Sequence, residues 1–146
     1  MMKLIKNIFI IAIAVLLTES CNSQPAPIVV GKDQCDYCRM GISDSKFGGE
    51  IVTVKDKKYK FDDVHCLLSF INKKMIGKSK IQDVYIVDFA SDNHSLINVK
   101  TALLLQSNLF NSPMNGNIAA FSSEAAMNKI KDEYKANIVS WSQLIK

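Results

Sequence analysis

Read for the alternation of apolar and polar positions, the chain resolves into short strands punctuated by two helices. Residues 50–55 and 58–61, Glu-Ile-Val-Thr-Val-Lys and Lys-Tyr-Lys-Phe, set β-branched and aromatic residues on either side of Asp56-Lys57 and predict a β-hairpin. At Asp62 and Asp63 the period changes. Val64, Leu67, Leu68 and Ile71 fall at i, i+3, i+4 and i+7 behind an aspartate able to cap a first turn, which predicts an amphipathic helix that breaks near Gly77. Residues 83–89 supply a further strand, completing a ββαβ unit. The second half repeats the order more faintly, with strands near 96–99 and 102–106, a Ser-Pro-Met-Asn-Gly turn at 112–116 and a strand at 118–121. A helix presenting Met127, Ile130 and Tyr134 on one face and a closing strand over 137–141 follow. Phe121-Ser122-Ser123 stands sixty residues after Phe61-Asp62-Asp63, and each triplet opens a helix. The expectation is an α+β protein of two similar ββαβ-type units, about 34–92 and 93–146, forming one domain over 34–146.

Ahead of this domain the pattern is of another kind. Lys3 and Lys6 precede an apolar run over residues 8–17, the layout of an export signal. That run falls short of the roughly 20 residues a helix needs to cross a bilayer. Leu17-Thr18-Glu19-Ser20-Cys21 places a small residue directly before a cysteine and so resembles a bacterial lipobox, although the leucine stands one place further back than is usual. On this reading residues 1–20 are a lipoprotein signal peptide and Cys21 becomes the lipid-modified N-terminus, in the bacterial cell envelope facing the periplasm. An ordinary secretory signal is the alternative and would leave Cys21 a free thiol. Residues 21–33, with Pro25 and Pro27 among Ser and Gln and no period of either kind, read as a tether.

Charge adds little. Without Lys3, Lys6 and Glu19 the chain carries 16 basic and 13 acidic residues, and Arg39 is its one arginine. No cluster of cations is interleaved with aromatics, so nucleic acid is not an expected partner. A chain of this length buries a core without disulfide staples. Cys35, Cys38 and Cys66 therefore remain as an odd number of thiols in an oxidising compartment.

The chemistry concentrates in Cys35-Asp36-Tyr37-Cys38-Arg39-Met40, three soft sulfur atoms in a short polar turn. Two thiols alone suit zinc, a disulfide or redox exchange, whereas thiolate with thioether selects Cu(I). Zinc would need a fourth ligand beside the three cysteines, with His65 the nearest choice. A redox dithiol should sit between a strand and a helix N-terminus, and neither flanks this turn. A structural disulfide, Cys35 with Cys38 or Cys38 with Cys66, is the plain alternative. Met114, between Pro113 and Asn115-Gly116, is loop-borne like Met40, while Met75 and Met127 read as core or helix-end residues. Cys66 is divided evenly between packing and a metal role, its place near a helix N-terminus favouring a thiolate. His65 and His94 read as surface residues, Asp62-Asp63 as a cap, and no nucleophile–base or phosphate-loop pattern marks an enzyme.

The Cys21 lipobox, Cys35-x-Tyr37-Cys38-x-Met40-x-Ile42, Phe61-Asp62-Asp63-x-x-Cys66, the strand with Tyr85, Val87, Asp88 and Phe89, and Ser112-Pro113-Met114 with Ala120-Phe121 occur in that order. Together they resemble the NosL family, the accessory lipoproteins of nitrous oxide reductase, over nearly all of the mature chain. The resemblance implies two ββαβ-like units, a Cu(I) site and delivery of copper to apo nitrous oxide reductase or its assembly proteins from a lipid-anchored position. Carried over by residue, the thiolate is Cys38 and the thioethers are Met40 and Met114, with Cys35 and Cys66 as further candidates. Arg39 stands where glycine or glutamine is frequent in the family. The other readings are a thiol–disulfide oxidoreductase using Cys35 and Cys38, and an envelope copper-resistance or sensing protein.

Overall fold

The computed structural model describes residues 23–146, so the signal and lipidation readings, residues 1–20 and Cys21, lie outside the described residues. Strands β1 (Gly49–Thr53), β2 (Lys58–Phe61), β3 (Ile81–Val87) and β4 (Leu96–Asn98) form an antiparallel sheet in the order β2-β1-β3-β4, with helix α1 (Val64–Asn72) between β2 and β3. Strands β5 (Leu103–Gln106), β6 (Ile118–Phe121) and β7 (Asn137–Val139) form a second antiparallel sheet in the order β6-β5-β7. Helix α2 (Glu124–Glu133) precedes β7, and a short helix α3 (Trp141–Leu144) ends the chain. The first-strand-central order recurs, so the ββαβ unit occurs twice in an α+β fold. One strand belongs elsewhere than its sequence position suggested. Residues 96–99, read as opening the second unit at 93, pair with β3, Tyr85 opposite Asn98 and Val87 opposite Leu96. The short connection over 88–95 favours return beside its own predecessor, and the second unit begins at Leu103.

Asp63 caps α1, its side chain accepting from the His65 N–H, and Val64, Cys66, Leu67, Phe70 and Ile71 form the buried stripe. That stripe packs with Ile51, Phe61 and Ile86 of the sheet in one core cluster. The helix ends earlier than Gly77, because Lys74 takes a left-handed conformation (φ 56°) and Met75 donates back to the Phe70 carbonyl at 3.1 Å. This turn sends Met75 into solvent, 52% exposed, and Ile76 takes the buried place, so of the two readings of Met75 the helix-end one holds and the core one does not. Met127 is buried as expected, among Phe47, Leu105, Phe110 and Phe121. The two sheets meet where Asp88 bridges Ala120 and the Phe89 N–H donates to the Ala120 carbonyl at 2.8 Å.

The second half of the segment read as a tether lies on the sheet. The Ala26 N–H donates to Glu50 Oε1 at 2.9 Å, and Lys60 Nζ reaches the Pro27 carbonyl at 2.7 Å and Asp33 Oδ2 at 2.6 Å. β1 is consequently buried along its whole length, Glu50 included. Glu50 Oε2 has no hydrogen-bond partner among the described residues. Burial raises the Glu50 pKa above its ordinary 4.5, against the opposing pull of the Ala26 N–H, Lys60 and Lys58. Since the folded pKa is the higher, the native state keeps a proton that the unfolded state releases, and stability present at low pH is lost as pH rises through that window. Glu50→Gln preserves the acceptor for Ala26 and removes the ionisation. It is expected to exceed the parent by about 1 kcal/mol at neutral pH and to approach it near pH 4 in urea titrations; a variant no more stable at neutral pH would show that the charged carboxylate is tolerated there.

Candidate metal centre

The sulfur-bearing turn hangs on the free edge of β2. The Asp36 N–H donates to the Lys60 carbonyl at 2.8 Å, and the Lys60 N–H returns to Asp36 Oδ2 at 2.8 Å. Gln34 bridges Gly41 across its base, the Cys35 N–H donates to the Met40 carbonyl at 2.8 Å and the Arg39 N–H to the Cys35 carbonyl at 2.9 Å. Closing so short a loop forces Arg39 into the left-handed region, φ 66°, which glycine enters without steric cost.

This turn drives Cys35 inward until it is fully buried, and the first turn of α1 does the same for Cys66. Cys38, half-buried, stands between them and the surface. The Sγ atoms of Cys35, Cys38 and Cys66 all lie within 4.8 Å of one another, and the three thiols are free. Among the described residues this is the one grouping of three or more histidine, cysteine or carboxylate side chains arranged to hold a metal ion. Burial pushes the Cys66 thiol well up, and the neighbouring Cys35 and Cys38 sulfurs push the same way. The helix N-terminus, expected to favour a thiolate at Cys66, is outweighed by desolvation and by crowding of like charge. Burial also raises Cys38, partly offset by the Met40 N–H aimed at its sulfur. His65 is exposed, its Nε2 3.5 Å from Ser69 Oγ, and His94 is an exposed loop residue. Neither histidine joins the sulfur group.

Both loop-borne methionines belong to this end of the fold, in different settings. Met40 is 54% exposed, just outside Cys38 in the chain. Met114 is half-buried and packs against the core cluster containing Cys35 and Cys66. What brings it there is Asp63, which does far more than cap. Its Oδ1 accepts from the His65 N–H at 2.7 Å, while Oδ2 accepts from Ser112 Oγ at 2.6 Å, the Met114 N–H at 2.8 Å and the Gly116 N–H at 3.4 Å. Gly116 must be glycine, because a Cβ there would lie 2.1 Å from Asp63 Oδ1 and 2.8 Å from the His65 nitrogen. The neighbouring buried Asp62 accepts the Ser43 N–H at 3.1 Å and so holds the chain just past Met40. Sequence reasoning assigned the aspartate pair to capping alone. One cap needs one carboxylate, and the second was the signal that the pair had further work.

A family model matches residues 27–146, and its family is NosL. The chain belongs to the NosL family. The fold agrees with that of the copper chaperone NosL from Shewanella denitrificans, whose crystal structure superposes with a TM-score of 0.69 at 19% identity, covering 84% of this chain and 96% of that one. No curated protein sequence matches. In this NosL-family chain the three donors brought together are all sulfur, two fully buried and one half-buried. Such a set suits a soft monovalent ion and offers no oxygen cage for a hard one.

Asp63→Asn tests the clamp. An amide has one acceptor oxygen, so it must turn its NH2 toward either the His65 N–H or the three donors of residues 112–116. A loss of about 2–3 kcal/mol is expected, with faster amide exchange at Met114 and Gly116 while the second sheet keeps its protection. Unchanged exchange at these two amides would show that packing, not the carboxylate, holds the loop.

Proposed function

We propose that this chain is a lipid-anchored, Cu(I)-binding chaperone of the bacterial cell envelope, which passes copper to an apo-cuproenzyme, nitrous oxide reductase foremost. The observation that carries the reading is the trio of free sulfurs within 4.8 Å, two fully buried, at the centre of a NosL-family fold. The solved NosL of similar fold is named a copper chaperone, which supports the same cargo here. The work is ligand exchange. Cys35 and Cys66 form an inner pair, Cys38 the outer thiol, and Met40 and Met114 neutral donors beside it. An incoming donor from the recipient joins Cu(I) on the Cys38 side before an inner thiolate lets go, so the ion moves down a gradient of affinity without a naked intermediate.

The thiol–disulfide reading is weaker on physical grounds. An exchanging thiol is a low-pKa, accessible thiolate, whereas burial raises Cys38 and Cys66 and encloses Cys35. Among the described residues zinc lacks a fourth protein ligand, since neither histidine joins the sulfur group.

Anaerobic titration is expected to give one Cu(I) per chain with a first shell of sulfur by X-ray absorption, and retention against excess Zn(II). A shell of nitrogen and oxygen would refute the site. Within it, Cys38→Ser should cost the most affinity, beyond the roughly 10–100-fold typical of losing an outer-shell partner. Met40→Ala and Met114→Ala should each cost less, because each removes a neutral donor and leaves the thiolates. Full affinity in Cys38→Ser together with loss in Cys66→Ala would move the site onto α1.

A further inference from the structure

Seven of the 16 basic residues that follow Cys21 fall within residues 53–58 and 73–80, segments that together contain one carboxylate, Asp56. The fold brings the two segments together. The β1–β2 turn and the chain leaving α1 enclose a shallow hollow of about 490 Å³ lined by Lys55, Lys57, Lys74 and Lys80, with Tyr59 in its wall and no carboxylate. Asp56 is already engaged by Lys58 Nζ at 3.0 Å. Val54 and Met75, 58% and 52% exposed, project from the same face.

The position of this hollow gives it meaning. α1 carries Cys66 in its first turn and Lys74 two places past its last residue, so about 12 Å of helix rise separates Cys66 from Lys74, while Lys73 turns back to the Tyr37 hydroxyl and stands apart from the lysines of the hollow. The N-terminal segment runs the same way. The Ser23 side chain lies beside the Asp56 carboxylate in the β1–β2 turn, Ala26 reaches Glu50, and Cys35 arrives at the sulfur centre. Ser23, the first described residue, therefore lies at the lysine end. A soluble anion would be served by the lysines alone and gains nothing from Val54 and Met75. A bilayer surface uses both: apolar tips enter the headgroup layer while lysine stems extend their ammonium groups to lipid phosphates.

We infer that the hollow between the β1–β2 turn and the end of α1 rests on anionic phospholipid and holds the sulfur centre away from the membrane, toward the recipient. The choice of a membrane as occupant rests on the anchored reading of Cys21. Each lysine near such a surface strengthens attachment about fivefold at low ionic strength, and the effect is screened by salt.

The mature chain with its own N-terminus is mixed with phosphatidylcholine vesicles, with and without phosphatidylglycerol, and its lysines are acylated and read by mass spectrometry. Severalfold lower reactivity at Lys55, Lys57, Lys74 and Lys80 on phosphatidylglycerol vesicles alone, reversed by high salt, with Lys129, Lys131 and Lys135 of the α2 region unchanged, is the expected result. Equal reactivity on both vesicles overturns the inference. So does protection by inorganic phosphate without vesicles, or protection on neutral vesicles that grows with protein density, as a second copy would give. The intact mass in the same sample reports acylation at Cys21. Lysine protection without acylation keeps the surface and refutes the anchor, whereas acylation without protection refutes the surface and keeps the anchor. Cu(I) titration of the same sample reads the copper assignment independently of both.

Discussion

Asp63 is a fully buried carboxylate, and four donors stand where water would otherwise have to be: one N–H from the start of α1, and a hydroxyl and two N–H groups from residues 112–116. Burying such a charge unpaired is prohibitive, and pairing it with oriented donors makes it a strong fastening. The consequence is geometric. The first turn of α1 places Cys66, residues 112–116 place Met114, and a single carboxylate fixes one against the other. Asp62, next in the chain, ties down residue 43 just past the Cys35–Met40 turn. Two segments remote in sequence thus converge on two adjacent aspartates at the start of α1.

The same aspartates show how the two ββαβ units have diverged. Phe61-Asp62-Asp63 and Phe121-Ser122-Ser123 occupy equivalent places before α1 and α2, and Ser123 still caps its helix through the Ala126 N–H. The serines, however, do not gather loops. Ser122 instead donates to the Asp88 carboxylate at the end of β3. Each unit therefore contributes one polar tie to the other, Asp63 to the loop before β6 and Ser122 to the segment after β3. A duplicated unit that had kept identical triplets would have lacked this reciprocity, and with it the tie that holds the Met114 loop to the start of α1.

Local pattern was enough for the hairpin of β1 and β2, for α1 and α2 and their caps, and for β5 and β6, because each is specified by the period of its own side chains. It was not enough where the deciding partner is remote. Leu96–Asn98 reads as a strand but does not say which sheet it joins, and only pairing with β3 decides. Met75 has a core residue's chemistry and is turned outward by a left-handed Lys74 that no apolar count reveals. At the centre, the pairing of Cys35 with Cys38 was legible from spacing. The convergence of Cys66 was not, since burial and ligation ask for the same side chain. Asp63 as a clamp was hidden because its cap role already accounted for it.

Burial, and after it the proximity of the sulfurs, raises the pKa of two of the three thiols of the centre. Three thiolates within 4.8 Å in a largely buried site would repel one another with little water to screen them. Desolvation by burial is the larger cause of the raised Cys38 and Cys66, and this repulsion adds to it. A soft cation reverses that arithmetic, because its charge offsets the thiolates and its arrival displaces their protons. Binding and release are then each coupled to proton movement through Cys38, the one thiol of the trio open to solvent. Under the proposed function such a centre would hold an ion by exchange and not by a preformed anionic cage, and a donor offered at the mouth would have returning protons on its side. That is the condition under which a buried sulfur site can give its metal up.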